Sequence, residues 1–211
     1  GWGFADFFAK KTIDEIGDIV SLVWAHLFGT VILFTVVLYQ WGIHGREVTI
    51  PSDWRTWFLL LFFGALQATI YFLVYKGFSK GKVGLLSPVF SSFSGLTVIF
   101  SVALFGEILT GHMVLALITV FLGILFLNID VDALRSNRIS FIRLPGFKEV
   151  AIAMLLAGFW TLFWDKLVGG QDWILYALFM YTFMTLTMFA IAKTKRVGLR
   201  ISKHHMWKFL V

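Results

Sequence analysis

The chain has 211 residues, 59% of them hydrophobic and only 14% charged, against about 25% charged in a soluble domain. It has no cysteine, which excludes disulfides, iron–sulfur clusters and thiol chemistry. The net charge is +6, but the basic residues lie between apolar runs, so membrane topology explains them better than nucleic acid does.

In chain order, the first apolar segment, residues 1–12, is too short to cross a bilayer. Six further segments follow at 19–41, 56–78, 83–105, 111–129, 149–168 and 173–192. Each approaches the ~20 apolar residues that a ~30 Å hydrocarbon core requires. Apolar residues surround these helices rather than forming one stripe, the pattern of helices in lipid. The expected fold is an all-α polytopic bundle, with Trp41, Trp54, Trp57, Trp164 and Trp173 near helix ends as an interfacial belt.

Polar residues inside these segments are the candidates for function. In the first segment, Asp6 and Lys10 stand one turn apart, the spacing of an ion pair, and an ionisable group at membrane depth is a functional candidate by default. His26 lies about two turns into the second segment, where it can bind, relay a proton or simply pack. Gln67, Tyr71 and Tyr75 recur every four residues and share one helix face. They either line a cavity or hydrogen-bond between helices. Trp160, and Tyr181 with Thr182 and Thr185, are weaker candidates for the same wall.

Pro88 is placed in the first turn of its helix, and Ser91 and Gly95 form a small-xxx-small spacing expected to serve packing. Glu107 sits in a hinge, F-G-E-I-L-T-G, between two apolar runs. It is read either as a cap of the following helix or as a gating or proton-coupling group. His204 and His205 belong to a basic, solvated face.

An internal repeat is visible at an offset of 155. Gly3, Phe4, Phe8 and Lys11 align with Gly158, Phe159, Phe163 and Lys166. The repeat divides the chain into a first copy at 1–130, a basic linker at 131–147 and the start of a second copy at 148–211, with about three helices of that copy expected beyond Val211. Fifteen of the 18 basic residues fall in alternate loops, and only Arg46, Arg55 and Lys166 in the others. The basic loops are therefore expected in the cytoplasm and the Glu107 hinge outside. The two halves carry opposite charge bias, as inverted copies of an odd number of helices must.

The L-S-P-V-F-S-S-F stretch from Leu86 to Phe93, the L-F-G-E-I-L-T hinge from Leu104 to Thr110 and the W-G-F-A-D-F-F-A-K-K opening resemble the EamA-like branch of the drug/metabolite transporter superfamily. The resemblance implies two inverted five-helix repeats around a central cavity, the second truncated here to leave about seven spans with the first partial. It also implies a secondary transporter moving a small metabolite or drug-like solute by alternating access, in the plasma membrane of a prokaryote. The partners would be the lipid bilayer, the solute and a coupling proton or exchanged solute, without cofactor, metal or nucleic acid. Family members have cytoplasmic termini, whereas the charges here place the Gly1 end outside. An intramembrane enzyme acting on lipid and an accessory membrane protein are the rivals. No P-loop, H-E-x-x-H or G-x-S-x-G motif is present, and no enzymatic activity is expected.

Overall fold

A computed structural model describes residues 2–45, 49–127 and 144–201. Most of the 131–147 linker, together with His204 and His205, lies outside them. The described residues form helices α1 (Trp2–Ile16), α2 (Asp18–His44), α3 (Trp54–Lys80), α4 (Val83–Ser91), α5 (Phe93–Phe105), α6 (Gly111–Leu127), α7 (Phe147–Val168) and α8 (Trp173–Thr194). The all-α polytopic expectation holds. Five segments are long and apolar enough to span a membrane: α2, α3, α4 with α5, α7 and α8. The 17 described residues of α6 rise about 26 Å.

Helix ends follow local chemistry. The Asp53 carboxylate accepts the Thr56 N–H at 2.8 Å to cap α3, and Asp172 accepts from Ile174 and Leu175 to cap α8. Gly106 closes α5 in the left-handed region at φ 67°, with its N–H on the Val102 carbonyl, a conformation that costs glycine no side-chain clash.

The fourth span is broken. Pro88 lies inside α4 rather than in its first turn. There it withholds the N–H that would pair with the carbonyl four residues earlier. The helix stops at Ser91, and Ser92, at φ −70° and ψ −2°, joins α4 to α5. Its hydroxyl reaches the Val89 carbonyl at 2.6 Å and Met154 Sδ at 2.9 Å, tying the break to α7.

The core lies where α2 packs on α8, and α3 on both α7 and α8. Leu22, Leu60, Ile70, Phe78, Leu86, Val150, Met184 and Met188 are its fully buried members. The outer surface is also apolar, with Ile32, Phe34, Leu38, Phe58, Leu61, Phe62, Leu115, Ile118 and Leu155 exposed. A water-soluble surface would not carry such a continuous patch, whereas hydrocarbon solvates it. Trp41, Trp54 and Trp173 are exposed at helix ends, as an interfacial belt requires. Trp164, half-buried near the end of α7, also has a ring partner. It stacks on Trp160 with centroids 5.3 Å apart and rings 12° from parallel, packed against the core.

Candidate functional site

A cavity of about 480 Å³ opens between the helices. α1 contributes Asp6; α3 contributes Gln67 and Tyr71; α4 and α5 contribute Phe90, Ser91, Phe93 and Ser94. Ala157, Trp160 and Thr161 of α7 and Met180, Tyr181 and Met184 of α8 close it. The break at Ser92 falls between the two serines on its wall.

Five of the seven sequence candidates, Asp6, Gln67, Tyr71, Trp160 and Tyr181, line this cavity. His26 stands behind the wall. It is buried, and its ring lies 5.7 Å from that of Tyr71 and 6.0 Å from that of Tyr181. Its Nδ1 is 2.8 Å from the Leu22 carbonyl. A carbonyl only accepts, so Nδ1 carries the proton in that bond. Tyr75, one turn below Tyr71, packs against the core and is not on the lining. The stripe on α3 thus meets the cavity with two residues and the bundle interior with the third.

Partners inside the bundle differ from those that spacing predicted. Lys10 bonds Asp14 at 2.7 Å, not Asp6. The Asp6 carboxylate instead accepts the hydroxyl of Ser87, which α4 brings to α1 from 81 positions away. Trp160 donates its indole N–H to the Phe63 carbonyl at 3.0 Å, which fixes the ring in the wall. The Gln67 side-chain oxygen is buried and has no hydrogen-bond partner among the described residues. Such an orphan acceptor is uncommon in folded proteins.

Ser91 and Ser94 sit on the cavity wall, whereas the small-residue spacing was expected to serve packing. Gly95 does serve it, since a Cβ there would lie 3.2 Å from Leu117 of α6. Phe90, Met180 and Met184 carry no polar signal in the sequence, and only the tertiary fold reveals them as lining.

A second cavity of about 320 Å³ lies beside the Glu107 hinge and shares Thr161 with the first. Glu107, Asp165 and Lys166 line it, and the Lys166 ammonium sits 3.2 Å over the Phe105 ring. The cap of α6 comes from Thr110, whose hydroxyl lies 3.4 Å from the Met113 N–H. Glu107 is not needed for it.

Apolar helices of membrane-spanning length, packed around a polar-lined cavity, define an integral membrane protein of the solute-handling kind. The profile of the EamA-like transporter family matches residues 1–129. The chain belongs to that family, and is a membrane transporter of the drug/metabolite type. No curated protein matches it.

Proposed function

We propose that the chain is a secondary transporter and that the central cavity is its solute site. The carrying observation is that α1, α3, α4, α5, α7 and α8 all contribute to one wall holding Asp6, Gln67, Tyr71, Trp160 and Tyr181. A site between helix groups changes its exposure when the groups rock, which is alternating access. His26 supports the wall through the two tyrosine rings, and Tyr75 anchors α3 below it.

Residues 1–130 and 148 onward form two inverted copies in this reading. The α2–α8 contact supports it. Trp24 meets Leu199, Thr30 meets Thr185, and Phe34 shares a pocket wall with Leu178 and Phe179. Partners thus descend in number as α2 ascends, so the helices run antiparallel, as an axis in the membrane plane requires.

Lys76, Lys80, Lys193, Lys195 and Arg196 gather near the C-terminal ends of α3 and α8. Lys76 and Lys195 both approach the Phe72 ring. That end faces the cytoplasm, across the plasma membrane of a prokaryote.

The test is flux. Purified protein is reconstituted into liposomes and presented with pooled labelled metabolites, with and without a proton gradient or internal counter-solute. Protein-dependent uptake that falls on Gln67→Leu or Tyr71→Phe substitution is expected. Absence of flux with every pool, in both membrane orientations, overturns the proposal.

A further inference from the structure

The charge on the cavity wall is of one sign. Asp6 is the only charged residue on the described lining, with no lysine, arginine or histidine beside it. Its carboxylate takes one hydrogen bond, from Ser87, and a carboxylate has about four acceptor sites. The Gln67 oxygen is buried away from the space, and the other end of that amide, the NH2, is a donor. Three donors on the wall are turned away from the space, while the Ser91 hydroxyl and the Gln67 NH2 remain on it. The Trp160 N–H goes to Phe63, the Thr161 hydroxyl to the Ala157 carbonyl at 2.8 Å, and the Ser94 hydroxyl to the Ser91 carbonyl at 3.1 Å. The Tyr71 and Tyr181 hydroxyls can serve in either role. The remaining wall is aromatic and thioether, from Phe90, Phe93, Met180 and Met184.

We infer that this cavity takes a small organic ammonium, an N–H-bearing cation on an apolar or aromatic body, with no free carboxylate or phosphate; this rests on the reading of the cavity as the solute site. An N–H group satisfies Asp6, and the positive charge meets the carboxylate beside the rings of Tyr71, Tyr181 and Trp160. The body lies against the phenyl and methionine wall. A carboxylate on the solute would shed its water with no cation on the wall to replace it. Anions are excluded for that reason, and so are zwitterions.

The absence of cysteine provides a clean reporter. Ser91→Cys places one thiol on the cavity wall, and its rate of modification by N-ethylmaleimide in purified protein reads occupancy. The probes are phenethylamine, phenylalanine and phenylpropionate, which share a phenyl body and differ in charge. Phenethylamine should slow labelling about tenfold or more at saturation, and the other two should leave the rate unchanged. Asp6→Asn should remove the protection. Equal protection by phenylpropionate or phenylalanine overturns the assignment, as does no protection by any probe or undiminished protection in Asp6→Asn. The comparison among probes needs no variant at Asp6, so it decides even where that substitution impairs folding. The cavity reading fails separately, if a solute the protein transports does not slow labelling at all.

Discussion

The hydroxyls of Thr30 and Thr185 meet at 3.0 Å between α2 and α8, and the two residues stand 155 positions apart, the offset that aligns Gly3 with Gly158. Tyr181 follows His26 by the same interval, and those two rings are also in contact. Residues that touch their own repeat equivalents lie beside a pseudo-two-fold axis. The axis of the proposed repeat therefore passes between the middle of α2 and the middle of α8.

The threonine pair is not symmetric in its chemistry. Thr30 donates its single proton to the His26 carbonyl at 2.9 Å, so Thr185 must donate to Thr30. Replacing Thr30 by valine leaves the buried Thr185 hydroxyl without an acceptor, whereas replacing Thr185 leaves Thr30 still bonded to His26. Thr30→Val should cost roughly 1 kcal/mol and Thr185→Val less. Thermal unfolding of the two variants in detergent reads the difference. An equal or reversed order would refute the donor assignment.

Close helix approach at Gly64 sets a second expectation. A methyl group there would lie 2.7 Å from Phe183 Cβ and 3.0 Å from the Met180 carbonyl. One neighbour is backbone and cannot rotate away, so α3 and α8 must separate. Gly64→Ala should destabilise by about 1–3 kcal/mol. At Gly29 the added methyl meets only the Tyr181 ring, at 2.7 Å. The ring can turn, into the cavity it lines. Gly29→Ala should therefore lose less stability than Gly64→Ala and more transport per folded molecule, which parallel melting and flux measurements separate.

The α3 cap carries a pH signature outside the membrane. Hydrogen bonds from Thr56, side chain first and then backbone N–H, hold the exposed Asp53 carboxyl below its ordinary 3.8. A lowered acid contributes stability above its unfolded value and loses it as pH falls through the folded one. The melting difference between the parent chain and Asp53→Ala should be constant from about pH 7 to 5 and close below about pH 4. A difference that does not shrink at any pH below that of the free carboxyl would show that the cap works without charge.

What could be read from the sequence divides by range. Segment limits followed from apolar run length, because a bilayer imposes one length on every crossing. The shared face of Gln67 and Tyr71 followed from helical spacing, and both line the cavity. Pairings across the bundle did not follow. Spacing assigns Lys10 to Asp6 as readily as to Asp14, and only the approach of α4 brings Ser87 to the Asp6 carboxylate. Trp164 sits near a helix end, and its parallel partner in Trp160 could not be read from spacing alone. Phe90, Met180 and Met184 are indistinguishable in sequence from core residues, since apolar walls and apolar cores draw on the same side chains.

Gln67 is the residue at which stability and function should part. Its orphan oxygen is desolvated in the folded chain and gains nothing in return. Leucine is close in volume and removes the unsatisfied group. Gln67→Leu should leave the melting temperature unchanged or raise it, by up to about 1–3 kcal/mol of recovered desolvation. Transport should fall, because the wall loses its amide NH2. A purely structural glutamine, bonded between helices, predicts the opposite pair: lower stability with transport per folded molecule intact. Measuring melting and flux on the same preparation decides between them. A loss of stability with undiminished flux would remove Gln67 from the solute site.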